Sequence, residues 1–96
     1  MIRNGYVYPL NEDCDVVGER IECNQNISSG SVMKRSSDGQ YVFYDGKVLA
    51  PVDSFPYAGV AIYDKKSRHL GDYIVEFTRY DSTFGITELI VKLYNP

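Results

Sequence analysis

The chain has 96 residues and a net charge of −3, and it contains nine Tyr and four Phe but no Trp. That length supports one domain with a single core, because domains usually span roughly 100–150 residues. The acidic balance would repel a phosphate backbone, and no apolar run reaches the roughly 18–20 residues of a membrane span. We therefore expect neither a nucleic-acid nor a membrane partner.

Residues 1–15 are predicted to form an extended N-terminal arm outside a single β domain of residues 16–96. Gly5 and Pro9 interrupt the arm, and the polar residues 11–15 resist burial. The first residues also lack the apolar core of a signal peptide, which predicts synthesis in a cytoplasm.

The arm contains a short β-prone island made of Tyr6, Val7 and Tyr8. A strand on a flexible tether can add itself to the exposed sheet edge of a partner, so these three residues are the candidate partner-binding site. An alternative remains open, in which the island is an ordinary edge strand of the domain's own sheet.

The first strand of the domain is predicted at residues 16–23. Alternate side chains there share one face, which is the pattern of a half-buried strand, and they are Val17, Glu19, Ile21 and Cys23. The polar residues 24–30 that follow are predicted to form a turn.

A β-hairpin is predicted next, with residues 31–35 and 40–44 as its strands. The tetrad 36–39 between them contains Asp-Gly, and both residues tolerate the positive φ that tight hairpin loops need. A second Asp-Gly pair, Asp45-Gly46, is predicted to turn the chain again.

Three more strands are predicted at residues 57–64, 72–80 and 87–94. In the first of them, the small residues Ala58, Gly59 and Ala61 indicate that another backbone or side chain comes close. Between the first two lies a basic run that is interpreted as a solvated loop and consists of Lys65, Lys66, Arg68 and His69.

These elements predict an all-β fold. About six or seven short strands, with no sustained helical stripe, favour a small compact β-barrel or a two-sheet sandwich. Such a domain has more apolar strand surface than one small core can bury, which predicts a homo-oligomer and most simply a trimer.

No catalytic, cofactor-binding or metal site is predicted, and we expect the chain not to be an enzyme. The single histidine, His69, stands in a charged loop, and no glycine-rich phosphate loop is present. Cys14 and Cys23 with one histidine do not make a zinc-ligand set, and in a cytosol they are expected to stay reduced. The sequence leaves open a thiol–imidazole couple between His69 and either Cys14 or Cys23.

Four short patterns follow one another between Ile27 and Tyr80: a glycine-containing strand start, a hairpin, a Gly-Val strand that ends in Asp, and a return strand. They occupy residues 27–34, 38–45, 57–64 and 71–75. In this order they resemble the small head-decoration, or cement, proteins of tailed bacteriophages, a β-rich group that includes the lambda-type decoration protein.

The resemblance implies a non-enzymatic structural virion protein that binds the outside of a phage capsid and stabilises it. Its partner would be the major capsid protein, contacted by many copies that are often trimers, and no cofactor or catalytic residue is implied. The protein would be made in the host cytoplasm and reside in the virion. The alternative is a small phage-encoded inhibitor or adaptor that docks on a host protein complex by its acidic, aromatic surface.

Overall fold

Six antiparallel strands form the protein in a computed structural model, which describes residues 2–35 and 41–94. In chain order they are β1 (Gly5–Leu10), β2 (Ile21–Arg35), β3 (Tyr41–Ala50), β4 (Gly59–Asp64), β5 (His69–Asp81) and β6 (Ile86–Leu93). The described residues contain no helix, and hence none that is long and apolar enough to cross a membrane. The predicted all-β fold is confirmed.

The strands close into a barrel in the order β1-β2-β3-β6-β5-β4. Two three-stranded meanders, β1 to β3 and β4 to β6, meet at a β1–β4 seam and a β3–β6 seam. Because β4 returns to lie beside β1, the first four strands form a Greek key. The connection from β3 to β4, residues 51–58, sends Phe55 into the core and is thereby anchored to the barrel.

Every strand contributes to the barrel interior, since alternate residues of a strand point to the same side. Phe55 joins the inward residues of the strands, which are Val7, Cys23, Val48, Val60, Ile62, Tyr73, Leu89 and Val91. Full burial of one such aliphatic or aromatic side chain stabilises a fold by about 1.5–3 kcal/mol. The core is therefore the main source of stability, and it needs all six strands.

β1 belongs to the barrel, which corrects the domain boundary predicted at residue 15. It pairs with β2 from Gly5 to Val7, and along its whole length with β4. β1 tolerates Pro9, which has no N–H to donate, because the pairing with β2 ends before that residue. The Pro9 carbonyl instead accepts the Val17 N–H at 2.9 Å. The alternative in which this segment is a strand of the domain's own sheet is the one that the structure shows.

β2 begins at Ile21, later than predicted. Val16 and Val17 are 58% and 45% exposed, and only a single bridge, from Val16 to Leu10, joins this stretch to a strand. This stretch does not form a strand, because Gly18 and the charged residues around it offer little apolar surface to bury. Ile21 packs against the core and Cys23 lies in it, as the alternation predicts.

Residues 24–30 lie within β2 and do not form the predicted turn. The backbone of this stretch is paired just before β1 begins: the Asn4 side-chain amide donates to the Gln25 carbonyl at 2.9 Å, and its oxygen accepts the Gln25 N–H at 2.8 Å. Asn24 likewise donates to the Ile2 carbonyl at 2.7 Å. Side-chain amides here extend the strand pairing, although they also favour turns.

The predicted hairpin is confirmed in its strands, which pair from Val32 opposite Tyr44 to Arg35 opposite Tyr41. Its predicted loop at 36–39 lies outside the described residues. Asp45-Gly46 is not a turn, because β3 runs through it and Gly46 pairs with both β2 and β6. A Cβ at Gly46 would collide with the side chain of Ile27, so the glycine is required by close packing.

The last three strands agree with their predictions. A Cβ at Gly59 would come within 2.6 Å of the Tyr73 carbonyl oxygen, which is the close approach that the small residues of β4 indicate. Lys65, Lys66 and Arg68 are exposed between β4 and β5 as expected, whereas His69, predicted in the same loop, is the first residue of β5. Leu89 and Val91 of β6 face the core, whereas Leu93 beyond them is 47% exposed.

A matched pair of valine substitutions tests whether β1 is part of the core. Val7→Ala should destabilise the protein by about 2 kcal/mol, because it removes fully buried methyl groups, and lower the thermal midpoint by roughly 10 °C. Val16→Ala, at an exposed site between β1 and β2, should change stability by less than about 0.5 kcal/mol. Equal midpoints for the two variants in thermal melts would contradict the placement of β1.

Candidate functional site

The outer face of β1 and β4 carries a group of tyrosines. Tyr6 and Tyr8 point outward from β1 because Val7 between them points into the core. Tyr6 lies opposite Tyr63 across the β1–β4 seam. We call Tyr6, Tyr8 and Tyr63 the tyrosine cluster.

The three rings of the tyrosine cluster are in mutual contact. Tyr6 and Tyr63 stack with ring centroids 5.0 Å apart and planes 5° from parallel. Tyr8 meets both of them edge-on, at 5.9 Å from Tyr6 and 5.8 Å from Tyr63. Aromatic pairs in such geometries contribute about 0.5–1.5 kcal/mol beyond their burial, so the rings hold one another in place.

Charged side chains border the tyrosine cluster. The Arg20 guanidinium lies 3.8 Å from the centroid of Tyr6, which is only 7% exposed. Glu22 holds that guanidinium at 2.7 Å, and this hydrogen bond raises the pKa of Arg20. On the opposite side, His69 lies 5.0 Å from the ring of Tyr63, and its Nε2 is 2.8 Å from Asp72.

The same outer face continues into an apolar groove of about 210 Å³. Leu10, Gly59 and Ile74 lie in register across β1, β4 and β5, and the missing side chain of Gly59 deepens the floor between its two neighbours. Ala58, Tyr73 and Tyr94 also contribute to the lining. We call this depression the groove.

One wall of the groove is the turn formed by residues 11–15. The Asn11 side-chain carbonyl accepts the N–H groups of Asp13 and Asp15 at 2.9 and 3.0 Å, which fixes the shape of the turn. The turn places Glu12 and Cys14 at the groove. A second depression shares this wall and extends to Val17, Pro56 and Tyr57.

The structure does not bring together the cysteine–histidine couples that the sequence leaves open. Cys14 stands at the Gly59 end of β4, whereas His69 pairs with Tyr63 near the other end. Cys23 lies in the core, where burial raises the pKa of its thiol to about 12, and both cysteines are free. Among the described residues, no group of three His, Cys, Asp or Glu side chains could hold a metal ion.

Of the three predicted site residues, the structure unites two on one surface. Tyr6 and Tyr8 belong to the tyrosine cluster, whereas Val7 is buried in the core. Strand addition through Tyr6 to a partner is not available, because both edges of that residue are already paired. Sequence reasoning missed Tyr63 and Arg20 as members of this surface, since only the strand register makes them neighbours.

Comparison with known proteins assigns the chain to no family. The chain matches no protein-family model, and no curated protein matches it. Its function is therefore inferred from the geometry of the outer face and from the sequence patterns described above.

The two thiols should differ sharply in reactivity. Cys14 is half-buried at the edge of the groove, whereas Cys23 is fully buried and its pKa is strongly raised. Because the thiolate is the reactive form, iodoacetamide at mildly alkaline pH should label Cys14 in the folded protein and Cys23 only after denaturation. Mass spectrometry of digested protein reads out both sites, and rapid labelling of native Cys23 would contradict its burial.

Cys23 should also make the fold sensitive to alkaline pH. An unfolded-state thiol ionises near about pH 8.5, whereas the folded pKa is about 12, so between these values only the unfolded state has lost the proton. The stabilisation is fully present below about pH 8.5, and about 2 kcal/mol of it should be lost by pH 10. Urea unfolding at several pH values measures this loss, which should be smaller in Cys23→Ala.

Proposed function

We propose that this protein is a non-enzymatic structural protein of a phage virion, which binds the outside of the capsid and stabilises it. The tyrosine cluster is the observation that carries the proposal. Tyrosine and arginine are enriched at protein interfaces and dominate their energetic hot spots. A surface in which Tyr8 and Tyr63 are half-buried beside Arg20 has the composition of such a hot spot.

The geometry of the tyrosine cluster favours a binding role. Its rings are fixed by contact with one another, and a tyrosine has few rotatable bonds, so little conformational entropy is lost when a partner covers them. Tyr8 and Tyr63 retain exposed surface that a partner can bury. The cluster is thus a preorganised contact surface.

The barrel and the sequence patterns add support for an assembly protein. In a closed barrel β1, β4, β5 and β6 have neighbours on both edges, which limits unwanted strand pairing when many copies are crowded on a shell. The order of short patterns between Ile27 and Tyr80 resembles the phage head-decoration proteins. Capsid binding is the function that joins these features.

Co-sedimentation with shells tests the proposal, using shells assembled from the major capsid protein encoded in the same genome. The wild-type protein should sediment with the shells, and Tyr8→Ala and Tyr63→Ala should each weaken binding by roughly 30-fold, as loss of a hot-spot residue does. Tyr80→Ala is the matched control, because Tyr80 is 47% exposed on β5 and lies outside the cluster. It should bind as the wild type does.

Two results would overturn the proposal. One is a wild-type protein that remains in the supernatant, and the other is unchanged shell binding by both cluster variants, provided that their thermal midpoints show them folded. The alternative, an inhibitor or adaptor that docks on a host complex, is suggested by the net charge of −3 beside the exposed aromatic surface. It predicts instead a stoichiometric complex in host extract that requires Tyr8 and Tyr63.

A further inference from the structure

The two ends of β4 are bordered by opposite charges. At the Gly59 end, the turn at 11–15 exposes Glu12, which lines both the groove and the second depression, and Asp13, which lines the second depression. At the Asp64 end, the turn between β4 and β5 exposes basic side chains, which are Lys65, Lys66 and Arg68. We call these regions the acidic end and the basic end.

The acidic end also exposes apolar surface. Beside the groove and the depression next to it, four large apolar side chains are between 37% and 45% exposed, namely Val17, Tyr57, Ile74 and Tyr94. Lys92, which pairs with Ile74, is an exposed cation beside this surface, so the negative charge of this end lies in the turn at 11–15. Exposed apolar side chains in both depressions that share the 11–15 turn as a wall indicate a contact surface.

The basic end exposes apolar side chains as well. Ile2, which precedes β1, is 78% exposed, and Leu70, at the start of β5, is 39% exposed. Hydrogen bonds fix the turn between β4 and β5. The Asp64 carboxylate accepts the N–H groups of Lys66 and Arg68 and binds the Arg68 side chain at 3.0 Å. These hydrogen bonds lower the pKa of Asp64, so the carboxylate that shapes the turn stays ionised.

We propose that the acidic end of one copy receives the basic end of a second copy, so that the protein associates head to tail. Each end offers exposed apolar side chains beside a turn whose exposed charges have one sign, and the two turns are complementary. They cannot meet within one molecule, because the six residues of β4 hold them about 17–20 Å apart. A contact between two different surfaces forms rings when the rotation closes, and a ring of three is one such form.

Charge reversal at each end provides the test, with association measured by sedimentation velocity. The first variant, Glu12→Lys with Asp13→Lys, has two basic ends, and the second, Lys65→Glu with Lys66→Glu, has two acidic ends. Alone, each variant should associate about tenfold or more weakly than the wild type, because like charges then face each other. Mixed in equal amounts they should associate again, since every contact between the two variants is attractive.

A control separates this effect from net charge. Ser82→Lys with Thr83→Lys adds positive charge at the exposed turn between β5 and β6, away from both ends, and it should associate as the wild type does. Wild-type association should also weaken as salt is raised, because exposed charges are screened.

Three outcomes would overturn the head-to-tail contact: a wild-type monomer throughout the micromolar range, association that survives both reversals, and failure of the mixed variants to associate while circular dichroism shows each folded. Shell binding is measured separately and depends on the tyrosine cluster. The two proposals can therefore fail independently.

Discussion

The pairing of β1 with β4 is the contact on which the rest of the structure depends. All six residues of each strand take part, from Gly5 opposite Asp64 to Leu10 opposite Gly59, and this seam closes the sheet into a barrel. On its inner side it places Val7 among the core residues. On its outer side it stacks Tyr6 on Tyr63 and forms the floor of the groove, so one ladder of hydrogen bonds builds both the core and the candidate binding surface.

Most strands could be predicted from local patterns in the sequence, whereas the start of β2 and the positions shaped by long-range packing could not. The hairpin strands, β5 and β6 follow from β-prone or alternating runs and turn residues, and β4 follows from an apolar run of strand length. Gly5 and Gly46 misled the prediction because glycine indicates flexibility or a turn when seen alone. In the fold, a Cβ at Gly5 would collide with the Tyr63 carbonyl and one at Gly46 with Ile27, and neither neighbour is visible in the local sequence.

Only the part of the candidate surface that lies on one strand could be predicted from the sequence. Tyr6 and Tyr8 stand out as a β-prone island, and alternation alone would place them on one side of a strand. Their neighbours Tyr63 and Arg20 are set by register across the β1–β4 seam and by the path of the chain before β2, which no local pattern encodes. Strand addition through the island is wrong, because its edges are paired within the barrel, whereas partner binding at Tyr6 and Tyr8 stays a prediction.

The position of β6 has a consequence for the order in which the barrel can be completed. β6 lies between β3 and β5 in the ring, yet it follows both of them in the chain. Until residues 86–93 have left the ribosome, β3 and β5 each present an open edge, and open edges are templates for pairing with other chains. Closure also waits for contacts distant in sequence, which slows folding. The newly made chain therefore keeps two open sheet edges until its sixth strand inserts.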